Sequence, residues 1–106
     1  MTIQIQDNPA EQRYEILQDG IRAGLADYTI AGDRLSITHT ETSSEFSGRG
    51  LARQLIGFAL DDARARGLSV VPVCPYALRV ITENQDEYLD LVPADERARF
   101  SLPETS

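Results

Sequence analysis

The sequence predicts an α/β fold, in which a twisted mixed sheet of antiparallel N-terminal strands is followed by a strand–helix–strand crossover. Three features predict it: alternating runs separated by turn residues in the first half, one long amphipathic stripe after residue 46, and a short apolar run after that stripe. One long helix and one or two short helices are expected to pack on the sheet.

The antiparallel strands are predicted from alternation and from the turns between them. Residues 11–18, 21–31 and 35–40 read as extended runs in which apolar and polar side chains alternate. Asp19-Gly20 and Gly32-Asp33 separate these runs. An Asp-Gly pair favours a tight hairpin turn because both residues tolerate positive φ. The simplest arrangement is an antiparallel meander of three strands.

The long helix is predicted by apolar residues at steps of three and four. The stripe consists of Leu51, Ala52, Leu55, Ile56, Ala59, Leu60 and Ala63. Cations are favourable at the negative end of a helix dipole, so Arg64 and Arg66 indicate the last turn. Gly67 indicates the end of the helix, because glycine is common directly after a helix.

A short, largely apolar run over residues 68–74 follows the helix and is typical of a strand buried on both faces, as in a parallel sheet. Strand, helix and strand then form a right-handed crossover. Pro72 donates no hydrogen bond, so we expect the second strand to bulge or to part from its neighbour there. Pro75 opens a short helix, whose apolar residues are Ala77, Leu78, Val80 and Ile81.

Length and composition predict one domain and argue against several classes of partner. Residues 1–92 are expected to form the domain, and residues 93–106 a partly loose C-terminal extension. The 106 residues carry a net charge of −7, which argues against nucleic-acid binding, and no apolar run approaches the length of a membrane helix. Without a signal-peptide pattern, and with Cys74 as the single cysteine, a cytoplasmic protein is expected. No cluster has metal-ligand spacing, so no metal is expected.

The segment Ser47-Gly48-Arg49-Gly50-Leu51-Ala52 joins the third predicted strand to the long helix. Glycines let a ligand approach the backbone closely, and the first N–H groups of a helix lack partners, so this turn suits a pyrophosphate. A tight turn that binds nothing is the alternative that the glycines alone leave open. The spacing matches neither of the common glycine motifs for nucleotides.

In this context the turn resembles the acyl-CoA-binding core of the GNAT superfamily of N-acetyltransferases, whose turn reads Q/R-x-x-G-x-G/A and differs here at its first position, Ser47. The chain is similar to a compact branch of that superfamily that lacks the usual N-terminal helices. The further matching residues are Ile37-Thr38-His39-Thr40-Glu41, Cys74-Pro75-Tyr76 and Tyr88-Leu89-Asp90-Leu91-Val92.

The resemblance implies acetyl-CoA as co-substrate and assigns residues to it. The pantetheine arm would pair with the backbone of Thr40, Glu41 and Thr42 as an added strand would, and the thioester would lie where two parallel strands splay apart. The pyrophosphate would bind the turn and the start of the helix, with charge added by an arginine. The residues concerned are Gly48, Arg49, Gly50, Leu51, Ala52 and Arg53.

Cys74 and His39 are the candidate catalytic residues. A Cys74 thiolate at the end of the second parallel strand can accept the acyl group first, with His39 as its activating base. His39 can also take a proton from an attacking amine. The alternatives are an inert buried cysteine, a strand histidine with a local hydrogen bond, and direct attack by the amine, with Tyr76 or Tyr88 protonating the leaving thiolate.

The sequence therefore predicts an acyltransferase that moves an acetyl group from acetyl-CoA to a primary amine, on a small molecule or on a protein. A non-catalytic acyl-CoA-binding module and a protein-interaction domain are the alternatives. The chain is expected to act as a monomer or a homodimer.

Overall fold

Four antiparallel strands and one parallel strand form the sheet of the computed structural model, which describes residues 2–43 and 50–103. The strands are β1 (Ile3–Asn8), β2 (Arg13–Gln18), β3 (Ile21–Ala31), β4 (Arg34–Thr42) and β5 (Ser69–Pro72), and they lie side by side in this order. β1 to β4 pair antiparallel, and β5 pairs parallel to β4. The predicted mixed α/β sheet is confirmed.

The helices are α1 (Leu51–Ala65), α2 (Pro75–Glu83), α3 (Gln85–Tyr88) and α4 (Ala94–Arg97), with 3-10 turns at Leu89–Leu91 and Ala98–Phe100. α1 and α2 follow the prediction. α3 and α4 are single turns, too short for a helical period to be visible in the sequence. Within the described residues, no helix combines the length and the apolar character needed to cross a membrane.

β1 corrects the prediction of a three-stranded meander. Its residues include the alternating run Ile3-Gln4-Ile5-Gln6, and they pair with β2 from Ile3 opposite Gln18 to Asn8 opposite Arg13. With only two apolar residues, this run is a weak strand signal by itself. Pairing along the whole of β2 makes it a strand, because β2 supplies the hydrogen-bond partners.

The core lies between one face of the sheet and helices α1 and α2, and we call this face of the sheet the helix face. Buried side chains of residues 88–92 extend the core. The described part of the C-terminal extension also contributes, since Leu102 is buried in the core and Asp95 pairs with Arg34 at 3.0 Å.

α1 packs one apolar side on the sheet. Its buried residues are Leu51, Leu55, Ile56, Gly57, Ala59, Leu60 and Ala63, which is the predicted stripe with Gly57 added and Ala52 only half-buried. After the helix, Leu68 N donates back to Ala63 O at 2.8 Å, and Gly67 has a φ of 72°. The predicted stop is confirmed.

Two tyrosines tie α1 to the N-terminal strands. The Tyr14 hydroxyl donates to Asp62 Oδ2 at 2.7 Å, and the Tyr28 hydroxyl donates to Asp7 Oδ1 at 2.6 Å. Arg66 Nη1 lies 3.3 Å from Asp62 Oδ2 and 3.4 Å from Asp7 Oδ2. Burial and the adjacent carboxylates raise the pKa of both hydroxyls, that of Tyr28 to about 12, so both stay protonated as donors. One arginine therefore bridges two carboxylates, and together these groups join three strands to α1.

The pairing of β5 with β4 stops part-way along β4. The last pair is Ile37 with Pro72, whereas β4 continues to Thr42. Val73 N–H donates to Val71 O, two residues earlier, at 3.0 Å. The N–H that reaches Ile37 O in β4 is therefore that of Cys74, at 2.8 Å. The chain thus bulges after Pro72 and leaves the sheet, which confirms the expectation drawn from that proline.

β3 and β4 are too close at Gly24 for a side chain. A Cβ built on Gly24 would lie 2.8 Å from the backbone oxygen of Glu41 and 3.3 Å from Ile16 Cγ2. The backbone oxygen cannot move without displacing the end of β4. Gly24 is therefore required by this close approach.

We expect Gly24→Ala to lower the free energy of unfolding by about 1–3 kcal/mol, as overpacking does elsewhere. Urea unfolding measures the loss. The matched control is Gly57→Ala in α1, where the added Cβ meets the mobile end of Arg53 at 3.0 Å. That control gains up to about 1 kcal/mol of helix propensity. Equal effects of the two substitutions would contradict the interpretation of Gly24.

Candidate active site

The first component of the site is the stretch of β4 beyond its last pair with β5, residues 38–42, which we call the open edge. Ser43 N donates to Ala23 O at 2.7 Å, so the backbone of Ser43 faces β3. Backbone groups alternate in direction along a strand, so those of Glu41 also face β3, and those of Thr40 and Thr42 face away. An extended, amide-bearing ligand can pair with these groups as a further strand would.

A bulge at Thr38 decides which side chains flank the open edge. Ile37 and His39 lie opposite consecutive residues of β3, so Thr38 is an extra residue in β4. The extra residue reverses the alternation of side chains beyond it. Thr40 therefore shares the helix face with Ile37, which it would not do in a regular strand.

Cys74 lies beside the open edge and is held at three points. Only 5% of the residue is exposed. Its N–H donates to Ile37 O at 2.8 Å, its carbonyl accepts from Leu78 N at 3.0 Å, and its Sγ lies 3.2 Å from Thr40 Oγ1. The structure thus brings the predicted nucleophile to the predicted cofactor strand. The contact with the Thr40 side chain is one that sequence reasoning missed, because it depends on the bulge.

His39 faces the other side of the sheet, which we call the far face. Adjacent residues of a strand point to opposite faces, so the His39 side chain points away from the face on which Thr40 contacts Cys74. It is 57% exposed, and its Nε2 lies 3.6 Å from Glu41 Oε1. The role of His39 as the base that activates Cys74 requires the two side chains to lie together, and the structure does not bring them together. Its exposure is compatible with the other predicted role, toward an incoming amine.

The predicted pyrophosphate turn is described only from Gly50 onward, since Gly48 and Arg49 lie outside the described residues. Gly50 precedes α1 with a φ of 72° and offers no side chain to cap it. Leu51 is buried in the core and Ala52 is half-buried, so the backbone N–H groups are what these residues can offer to an anion.

Arg53 points along α1 rather than toward its start. A Cβ on Gly57 would lie 3.0 Å from Arg53 Nη1 and 3.8 Å from the Tyr88 hydroxyl, so both groups lie over the next turn of the helix. Burial, reinforced by the Asp61 carboxylate, raises the pKa of Tyr88. Arg53 is thus directed away from the predicted phosphate position. Tyr76, the other tyrosine considered as a proton donor, is half-buried at the start of α2.

The far face carries its own charge network, centred on Glu15 of β2. Its carboxylate accepts from Arg13 Nε at 2.8 Å and from Gln6 Nε2 at 3.1 Å, and Arg22 Nη1 lies 3.5 Å away. Burial opposes ionisation of this side chain, but the hydrogen bonds from Arg13 and Gln6 outweigh it and hold the pKa of Glu15 below its ordinary value. Glu15 is therefore ionised, and its charge is balanced by the neighbouring arginines. The acidic side chains nearest to His39 along β3 and β4 are Glu41 and Asp27.

The sequence also matches a family model, that of the GCN5-related N-acetyl-transferase, over residues 13–91. The match runs from β2 through the 3-10 turn that follows α3, and so includes the open edge, the turn and Cys74. The chain belongs to the GCN5-related N-acetyltransferase (GNAT) family. The resemblance to the GNAT superfamily is confirmed, and the chain is an acetyltransferase by family. No curated protein matches it.

Several solved structures share this GNAT fold. A GCN5-like protein from Staphylococcus aureus is 23% identical, with a TM-score of 0.62 over 85% of this chain and 87% of its own. The ribosomal-protein-S18-alanine N-acetyltransferase from Escherichia coli is 20% identical, with a TM-score of 0.57 over 71% of this chain and 52% of its own. Nourseothricin acetyltransferase is 28% identical, with a TM-score of 0.50 over 67% of this chain and 46% of its own. The chain spans about half the length of the last two enzymes.

Replacing Glu15 tests the charge network of the far face. The pKa of Glu15 in the folded state lies below its ordinary value of 4.5, so the contribution of Glu15 to stability is present above pH 4.5 and is lost as the pH falls through the folded-state pKa. We expect Glu15→Gln to lower the free energy of unfolding by about 1–3 kcal/mol at pH 7, and the gap from wild type to close in acid. Urea unfolding at several pH values measures both.

The control for that measurement is Glu83→Gln, which removes one partner of an exposed pair with Arg79 in α2. An exposed pair contributes little, so this variant should follow wild type at every pH. A stability gap for Glu15→Gln that does not depend on pH would contradict the network.

Proposed function

We propose that this GNAT chain transfers an acetyl group from acetyl-CoA to a primary amine. The observation that carries the proposal is the open edge, where the backbone groups of Thr40 and Thr42 face away from β3 beyond the last β4–β5 pair and next to Cys74. The family match supports acetyl transfer in general. The acceptor, on a small molecule or a protein, is left open.

Acetyl-CoA fits the open edge by its chemistry. Its pantetheine arm is extended and carries two amides, so it can pair with Thr40 and Thr42 in place of a strand. Its pyrophosphate would lie at the predicted turn, where the N–H groups of Gly50, Leu51 and Ala52 start α1. The thioester would then lie in the gap between β4 and the chain leaving β5, beside Cys74.

Cys74 is proposed to accept the acetyl group first. Its sulfur attacks the thioester carbonyl, the new carbon–sulfur bond forms, and the bond from that carbon to the CoA sulfur breaks. The proton that Cys74 loses is matched by the one that the departing CoA thiolate gains. The nitrogen of the neutral amine then attacks the carbonyl of the acetyl-cysteine, so that a carbon–nitrogen bond forms and the carbon–sulfur bond to Cys74 breaks. The cysteine sulfur takes the proton that this nitrogen gives up.

His39 is proposed to act on the amine rather than on Cys74. Its side chain is exposed on the far face, and Glu41 lies close enough to orient the imidazole. An amine that approaches from that face as an ammonium ion would give its additional proton to His39 and would reach the gap as the neutral nucleophile. The acidic side chains Glu41 and Asp27 favour a cationic acceptor.

Binding of acetyl-CoA is tested by isothermal titration with wild type, Thr42→Pro and Thr42→Val. Proline removes an N–H that faces the ligand and not β3, so β3–β4 pairing should survive. Valine keeps that N–H, so Thr42→Val should bind about tenfold more tightly than Thr42→Pro, the worth of one hydrogen bond. Equal affinities of the two variants would rule out pairing along the edge. Absence of heat and of a thermal shift with wild type at millimolar acetyl-CoA would overturn the proposed function.

The chemical step is tested by intact-mass spectrometry after mixing with acetyl-CoA. We expect an adduct with the mass of one acetyl group in wild type and none in Cys74→Ala. An unmodified wild type that still acetylates an amine would assign direct attack instead. Binding without adduct and without turnover on a broad amine panel would favour the alternative, a non-catalytic acyl-CoA-binding module.

A further inference from the structure

We propose that Thr40 is a positioning residue, whose hydroxyl fixes the Cys74 sulfur in register with the cofactor edge. The proposal rests on the proposed function, because it concerns the sulfur that would receive the acetyl group. Its basis is the 3.2 Å contact between Thr40 Oγ1 and Cys74 Sγ, in which either atom can donate.

The backbone of Cys74 is already fixed, which leaves only its side chain to be oriented. The N–H is bonded to Ile37 O, and the carbonyl receives Leu78 N–H at the start of α2. The remaining freedom is rotation about the Cα–Cβ bond, which swings the sulfur between its staggered positions. A hydrogen-bonding partner at 3.2 Å selects one of these positions.

Thr40 is suited to select it because its own side chain is restrained. A β-branched residue has few allowed χ1 positions, and Thr40 is half-buried. The bulge at Thr38 turns this side chain to the helix face. Without the extra residue, the hydroxyl would lie on the far face and could not reach Cys74.

The same residue links the sulfur to the ligand. The N–H and C=O of Thr40 face the open edge, where the pantetheine amides would pair, and its hydroxyl contacts the sulfur that would attack the thioester. One residue therefore sets both positions relative to each other. Holding reacting atoms in such a relation is a large source of rate acceleration.

The hydroxyl can serve both states of the sulfur. It can accept a hydrogen bond from the thiol, and it can donate one to the thiolate that attacks. The proton balance is unchanged, because the hydroxyl keeps its own proton while the proton lost by Cys74 is matched by the one gained by CoA. Thr40 is thus not the base of the reaction.

The experiment compares Thr40→Val with Thr40→Ser. Valine has nearly the shape of threonine without the hydroxyl, and serine keeps the hydroxyl without the methyl group. At saturating acetyl-CoA, we expect Cys74 to acetylate about tenfold more slowly in Thr40→Val, the loss of one hydrogen bond to a charged atom, and Thr40→Ser to regain most of the wild-type rate. Equal losses in the two variants would show a packing role only, and a wild-type rate in Thr40→Val would overturn the proposal.

A second readout separates this proposal from the proposed function. Iodoacetamide labels the Cys74 thiolate without acetyl-CoA, so its rate reports on the sulfur whether or not the acetyl step occurs. We expect slower labelling in Thr40→Val than in Thr40→Ser, with thermal unfolding used to verify that both variants are folded. If wild type never acetylates while labelling still differs in this way, the cysteine route fails and the positioning stands. If labelling is the same in both variants, the positioning fails.

Discussion

The site depends on where the hydrogen bonding between β4 and β5 ends. Ile37 is the last residue of β4 with a partner in β5, and that partner is Pro72. The N–H of the next residue, Val73, donates to Val71 O and not to β4, so the chain bulges there and the ladder does not continue. Beyond Ile37, the backbone groups of Thr40 and Thr42 face away from β3 and receive no partner from β5, so they are available to another partner. The same bulge brings Cys74 N–H to Ile37 O, so the end of the ladder also anchors the thiol.

A sheet that opens at one end must be held together elsewhere. Here the hydrogen bonds from Tyr14 to Asp62 and from Tyr28 to Asp7, with Arg66 between the carboxylates, join β1, β2 and β3 to α1. These contacts lie toward the C-terminal half of α1, and the turn that precedes α1 lies at its other end. These contacts hold α1 on the strands. They do not involve the gap beside β4 that begins where its pairing with β5 ends.

Consecutive residues of β4 place their side chains on opposite faces of the sheet. Thr40 and Cys74 lie on the helix face, and His39 and Glu41 on the far face. Because neighbouring side chains of a strand point in opposite directions, the proposed mechanism would place the thioester chemistry and the amine chemistry on opposite sides of one gap. Under that proposal, a chain of 106 residues would present both partners at one gap in its sheet.

The sequence by itself determined the features that depend on residues close together in the chain. The stripe of α1 follows from a helical period, and its end at Gly67 follows from a glycine that accepts a positive φ. The proline at position 72 likewise marks the place where the strand parts from its neighbour. Only the tertiary structure decided the strand β1, the bulge at Thr38 and the direction of Arg53. A bulge is a mismatch in register between two strands, so it arises from pairing over a distance, and one extra residue reverses every side chain beyond it. For that reason the sequence could place Thr40, His39 and Cys74 near one another, but only the fold put Thr40 with Cys74 and His39 on the other face.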